Sequence, residues 1–175
     1  MKLTFDITRE DHLIARMTAL AIAIHVLESA FPSPLPGVKP GLANIVIILV
    51  YMQFGWRIAA WVSLLRVLVG SLIIGTFLTP TFFLSLAGAL GSLGILLLVR
   101  PIPFGPVGLC LLAALSHISC QFIVAFLLFI PNTGLFRLLP VLLTFATFFG
   151  TISGIISARI WKMIEQTSTE SNLTH

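Results

Sequence analysis

Apolar segments long enough to cross a lipid bilayer dominate this sequence and restrict its fold to a helical bundle within a membrane. Of the 175 residues, 58% are hydrophobic and 9% are charged, and the mean hydropathy is +1.09. An ordinary soluble domain carries about a quarter charged residues, and its core could not bury this much apolar surface. The composition therefore indicates an integral membrane protein.

Six apolar segments can be read between turns that contain proline, glycine or arginine. They cover residues 13–31, 41–54, 58–77, 82–99, 107–130 and 136–160, and the second is short. A membrane helix needs about 20 residues. The sequence thus predicts an all-α integral membrane protein with six transmembrane helices forming one domain, residues 13–161. Polar tails, residues 1–12 and 162–175, flank it, and we expect the second to be loosely ordered.

The distribution of cations predicts the orientation. Seven cations fall on the side that holds both termini and two on the opposite side: Lys2, Arg9, Arg16, Arg57, Arg100, Arg159 and Lys162 against Lys39 and Arg137. Positive charge accumulates on the cytoplasmic side of membrane proteins. Both termini are therefore predicted to be cytoplasmic. The N-terminus also lacks the features of a cleaved signal peptide, so the first segment should remain as an anchor.

Several classes of function are disfavoured by what the sequence lacks. The cations form no cluster that would bind nucleic acid, and Cys110 and Cys120 have neither disulfide nor metal-ligand spacing. Asp6 and Asp11, the only aspartates, lie in the N-terminal tail. No catalytic motif, metal site or cofactor site is therefore predicted, and an enzymatic role for this chain alone is disfavoured.

Arg66 lies near the middle of segment 58–77, at a depth where a charge is costly and usually has a functional or pairing role. His117 and Gln121 share a face of the fifth helix at similar depth. Arginine donors suit phosphate or carboxylate, so the three residues could bind an anionic ligand. The alternatives are a structural ion pair between Arg66 and Glu28, and ordinary interhelical hydrogen bonding by His117.

A second group of polar residues is expected near the outer face. Glu28 lies three residues after His25 on the first helix, and Lys39 follows in a proline-rich loop. Glu28 could pair with Lys39 or be solvated among the headgroups. Asn44 could satisfy backbone groups at its helix start or face a ligand.

Ala15, Ala19 and Ala23 lie on one face of the first helix. Small residues at this spacing allow close approach of membrane helices. The face could be an internal packing surface or an outward groove that docks a partner helix.

The sequence resembles a known family in several places. The matching stretches are LES at 27–29, PLPGVK at 34–39, GLANIV at 41–46, residues 65–76, LSLAG at 84–88 and residues 116–121. On these residues the chain is identified as similar to the heptaprenyl diphosphate synthase component I family, also called the Gx transporter family. The resemblance extends over about residues 15–158.

The two family names imply different functions. The transporter name implies kinship with the substrate-binding (S) subunits of energy-coupling factor transporters, six-helix proteins of the bacterial cytoplasmic membrane. Their first helix docks through an alanine face on a coupling protein served by ATPases, and their first outer loop closes over the ligand. The synthase name implies a non-catalytic membrane component beside a soluble Asp-rich subunit, which makes the menaquinone side chain. A structural scaffold is a third alternative.

The first of these functions predicts a substrate site for an anionic or amphipathic metabolite, such as an isoprenoid diphosphate. We expect Arg66 to bind its negative group and His117 and Gln121 to orient it. Glu28, Lys39 and Asn44 would shape the lid. Membrane lipid and the coupling proteins, or the synthase subunit, are the expected partners.

Overall fold

The computed structural model describes residues 8–30 and 42–173, which form helices and turns only. The helices are α1 (Arg9–Ala30), α2 (Leu42–Phe54), α3 (Trp56–Ile74), α4 (Pro80–Leu98), α5 (Pro106–Val124) and α6 (Leu139–Leu173). A turn of π-helix, Ala125–Phe129, extends α5, and a 3-10 helix, Thr133–Arg137, precedes α6. The all-helical prediction is confirmed for these residues.

Five helical segments are long and apolar enough to cross a membrane among the residues described. They are Arg9–Ser29, Trp56–Ile74, Pro80–Leu98, Pro106–Phe129 and Leu139–Gln166. The remaining helix, α2, has 13 residues, about 20 Å of length, which is less than the thickness of the hydrocarbon core. The sixth span and the cytoplasmic location of the termini stay predictions.

The short helix α2 lies at the centre of the bundle. It packs against α1, α3, α5 and α6, and the side chain of Ile48 is 1% exposed. Around it, α1 packs on α3, α4 on α5, and α5 on α6. A helix that is apolar on all sides is typical of such a central position.

Local signals determine where the helices begin and end. Thr8 and Asp11 form a capping box, in which Thr8 N donates to Asp11 Oδ2 at 2.8 Å and Asp11 N donates to Thr8 Oγ1 at 3.3 Å. This starts α1 at Arg9, four residues earlier than the apolar pattern predicts. Gly75, with φ of 78°, ends α3 in the left-handed conformation that glycine adopts easily.

The end of α6 differs from the expectation of a loosely ordered tail from Lys162 onward. The helix continues to Leu173. Trp161 Nε1 donates to Glu165 Oε1 at 2.8 Å, one turn later, and such i, i+4 contacts stabilise a polar helix. The end of the apolar pattern therefore does not mark the end of the helix.

Candidate functional site

Arg66 points into the bundle from the middle of α3. Its side chain is 6% exposed, and its Nη1 donates a hydrogen bond to Asn44 Oδ1 on α2 at 3.1 Å. Its Nε is buried and has no hydrogen-bond partner within the part of the chain described. A guanidinium has five N–H donors in a fixed plane, so Asn44 satisfies only part of this group.

Glu28 provides the opposite charge from α1. It is also 6% exposed, and its carboxylate interacts electrostatically with Arg66. On the preceding turn of α1, His25 lies against α3, where its Cδ2 would be 3.2 Å from a Cβ added to Gly70. Because the Glu28 side chain is buried in the bundle, the alternative in which it is solvated among the headgroups is not supported.

His117 lies on the opposite side of the same region, in a hydrogen-bonded network between α4 and α5. Its Nε2 is 3.1 Å from Gln121 Nε2, and its Nδ1 is 3.3 Å from Ser92 Oγ. The amide nitrogen of Gln121 can only donate, so His117 Nε2 accepts and Nδ1–H donates to Ser92. Ser92 Oγ in turn donates to the backbone oxygens of Gly88 or Ala113, at 3.0 and 3.1 Å. This network fixes the orientation of the imidazole ring.

The two groups form one polar layer across the bundle. His117 interacts electrostatically with both Arg66 and His25. We use "polar layer" for the side chains that five helices contribute: His25, Glu28, Asn44, Arg66, Ser92, His117 and Gln121. The structure therefore brings together five of the six residues predicted to bind substrate. The sixth, Lys39, lies outside the described residues, as does the proline-rich loop.

Sequence reasoning missed Ser92 and the role of Gly88. A Cβ on Gly88 would lie 2.5 Å from the imidazole of His117, so the absence of a side chain there makes room for the ring. Gly88 and Ser92 are four residues apart and share a face of α4. A serine one turn after a glycine in an apolar helix was the available signal, but their partner on α5 could not be identified without the fold.

The alanine face of α1 points away from the bundle. Ala15, Ala19 and Ala23 are all exposed, whereas Thr18 and Ala21 form the buried side that packs within the chain. The alternative of an internal packing surface is therefore wrong. Docking of a partner helix on this face stays a prediction.

Two clefts lie outside the polar layer. One, of about 250 Å³, is almost entirely apolar and lies between α5, its π-helical extension and α6, with Phe122, Phe126 and Phe136 in its walls. The other, of about 270 Å³, lies where the α2–α3 turn meets the α4–α5 loop. His117 faces α4 and the apolar cleft faces α6, so α5 separates that cleft from the polar layer.

The fold and this layer define the class of protein: a multi-pass helical membrane protein with a polar centre. A family model described as heptaprenyl diphosphate synthase component I matches residues 17–160. The chain belongs to this family, which confirms the resemblance found in the sequence. No curated protein and no solved structure matches it.

Proposed function

We propose that this protein is a membrane subunit that binds a small anionic or amphipathic metabolite, isoprenoid-related, in its polar layer. It would deliver this ligand to partner proteins in the manner of an energy-coupling factor S subunit. The observation that carries the proposal is the buried guanidinium of Arg66, whose Nε has no partner among the described residues. Buried donors are normally satisfied, so a donor left open inside a membrane bundle favours a ligand that accepts from it.

Few acids are available to compete with an anionic ligand for Arg66. No Asp or Glu occurs between residues 29 and 164, and Glu28 is the acid that interacts with Arg66. A phosphate or carboxylate with its oxygens near Nε would add charge-assisted hydrogen bonds to this pair. The neutral imidazole of His117 and the amide of Gln121 would then orient the rest of the ligand, and Asn44 would hold the guanidinium in place.

The proposed partner is a coupling protein of the membrane, assembled with ATPases. The exposed alanine face of α1 supports this, because Ala15, Ala19 and Ala23 leave a shallow surface where another helix can approach closely. Under this proposal the protein is located in the bacterial cytoplasmic membrane with both termini inside. The ligand enters from the outer side, beneath the loop that contains Lys39.

Retention of ligand through purification tests the proposal. Wild-type protein is isolated in mild detergent, and its bound small molecules are identified by mass spectrometry beside those of Arg66→Ala. We expect an anionic compound in the wild type and its loss in the variant. Equal retention in a folded Arg66→Ala protein would remove Arg66 from the site.

The second candidate is a non-catalytic membrane component of a heptaprenyl or other polyprenyl diphosphate synthase. The family description favours it, since a component I implies another synthase subunit. The two functions differ in their partners. Co-purification with a soluble Asp-rich synthase, whose activity requires this chain, supports the synthase role. Co-purification with a membrane coupling protein and ATPases supports transport.

A further inference from the structure

The 270 Å³ cleft between the α2–α3 turn and the α4–α5 loop is separate from the site of the proposed function. It lies at the far end of α2 from the polar layer, since Asn44 is near the start of that helix and Gly55 follows its end. Eleven residues of helix separate them, about 16 Å. Tyr51 and Trp56 form one side, and Arg100, Ile102 and Phe104 of the α4–α5 loop form the other.

The walls of this cleft are held in place by hydrogen bonds. Tyr51 Oη donates to the backbone oxygen of Leu96 at 3.1 Å, and Trp56 Nε1 donates to that of Leu93 at 2.9 Å. The loop opposite is also constrained, because Ile102 N donates to Val99 O at 2.9 Å and prolines at 101 and 103 fix two φ angles. A preformed cleft loses little entropy when a ligand binds.

The charge in this cleft is positive and is not balanced by its walls. The segments that form it, residues 51–57 and 99–109, contain no Asp or Glu. Arg100 is exposed at its rim, while Met52 and Leu109 give it an apolar floor. Arginine, tryptophan and tyrosine are residue types enriched at the boundary between headgroups and acyl chains.

We propose that this cleft binds the phosphate of an anionic amphiphile at the membrane surface. Arg100 would bind the phosphate oxygens in a planar, bidentate contact, and the apolar floor would contact the first carbons of the attached chain. Two sources share this chemistry: the headgroup of a phospholipid such as phosphatidylglycerol, and a prenyl diphosphate.

Native mass spectrometry of the delipidated full chain, titrated with phosphatidylglycerol, tests the site. Arg100→Gln should weaken binding by about tenfold or more, since a charge-assisted contact is lost. Arg57→Gln is the matched control: this exposed arginine lies at the same end but is not among the residues that line the cleft, and its loss should cost no more than about fivefold. Arg100→Lys should restore part of the affinity.

Competition with farnesyl diphosphate distinguishes the two sources. Displacement of phosphatidylglycerol at equal or lower concentration identifies a prenyl diphosphate site, whereas persistence of the phospholipid identifies a headgroup site; both outcomes support a phosphate site. The proposal is overturned if Arg100→Gln binds phosphatidylglycerol like the wild type, if Arg57→Gln weakens binding equally, or if phosphatidylcholine binds as well as phosphatidylglycerol.

Discussion

The two halves of the polar layer differ in charge and in how many of their polar atoms have hydrogen-bond partners. The half built by α1, α2 and α3 contains two buried opposite charges, Arg66 and Glu28, which interact electrostatically, and Arg66 Nε has no hydrogen-bond partner among the described residues. The half built by α4 and α5 has no acidic or basic side chain besides His117, and both ring nitrogens of His117 have a partner, Gln121 at Nε2 and Ser92 at Nδ1.

This difference assigns different roles to the two halves. A neutral hydrogen-bonded network whose groups all have partners holds its side chains in place, and a ligand adds little to it. A buried charged group with an open donor can form a strong, charge-assisted hydrogen bond to a ligand. We therefore infer that the Arg66 half supplies binding energy for a ligand and the His117 half supplies a rigid wall. Substitutions in each half should separate these roles.

The largest effect on stability is expected from Arg66→Met. It leaves Glu28 buried without its cationic partner, which should lower the free energy of unfolding by about 3 kcal/mol. Reversible unfolding in mixed detergent micelles measures this. The double variant Arg66→Met/Glu28→Gln should recover most of the loss. A single variant as stable as the wild type would show that the two charges do not interact.

Gly88→Ala tests the packing of the neutral half. The added Cβ would lie 2.5 Å from the His117 ring, so the ring must move, and we expect a loss of about 2 kcal/mol in the same assay. Gly94→Ala on the same helix is the control, because nothing lies within 4 Å of its added Cβ. Equal stability of the two variants would mean that His117 does not pack against α4.

Asn44→Ala removes the acceptor for Arg66 Nη1. A hydrogen bond to a charged group contributes about 1.5 kcal/mol or more, and we expect that loss of stability together with weaker ligand retention. Gln53→Ala removes an exposed amide from the same helix and should change neither quantity. Full ligand retention by Asn44→Ala would show that the guanidinium needs no support from α2.

Ser92→Ala should have the smallest effect. It removes the acceptor for His117 Nδ1–H, and interhelical hydrogen bonds in membranes contribute about 0.6 kcal/mol on average. The imidazole NMR shifts of His117 should change, because its tautomer is no longer fixed by that contact, while ligand retention changes little. A complete loss of ligand would contradict the assignment of this half as a wall.

Much of the helical architecture could be predicted because apolar length and turn residues are local signals. Near Gly75, Pro80 and Pro106, the helices end or begin within a few residues of the predicted positions. Hydropathy did not predict the capping box at Thr8 or the polar continuation of α6. The central position of α2 could not be predicted either, because a short apolar sequence is compatible with several positions in a bundle.

The site could be predicted in part for a similar reason. Charged and polar residues such as Arg66, Glu28 and His117 stand out in apolar helices, so their importance is visible in the sequence. Ser92 and Gly88 do not stand out, because serine and glycine are common in membrane helices. Which residues form hydrogen bonds across helices depends on rotation of each helix, and that is determined only by the assembled bundle.

The central claim is that Arg66 anchors an anionic ligand inside the membrane, and the double variant Arg66→Met/Glu28→Gln tests it most directly. This variant keeps the polar layer neutral overall, so it should remain folded while lacking the anchor. Mass spectrometry of the small molecules that co-purify should find the anionic ligand in the wild type and not in the folded double variant. Equal amounts of the same ligand in both proteins would contradict the account.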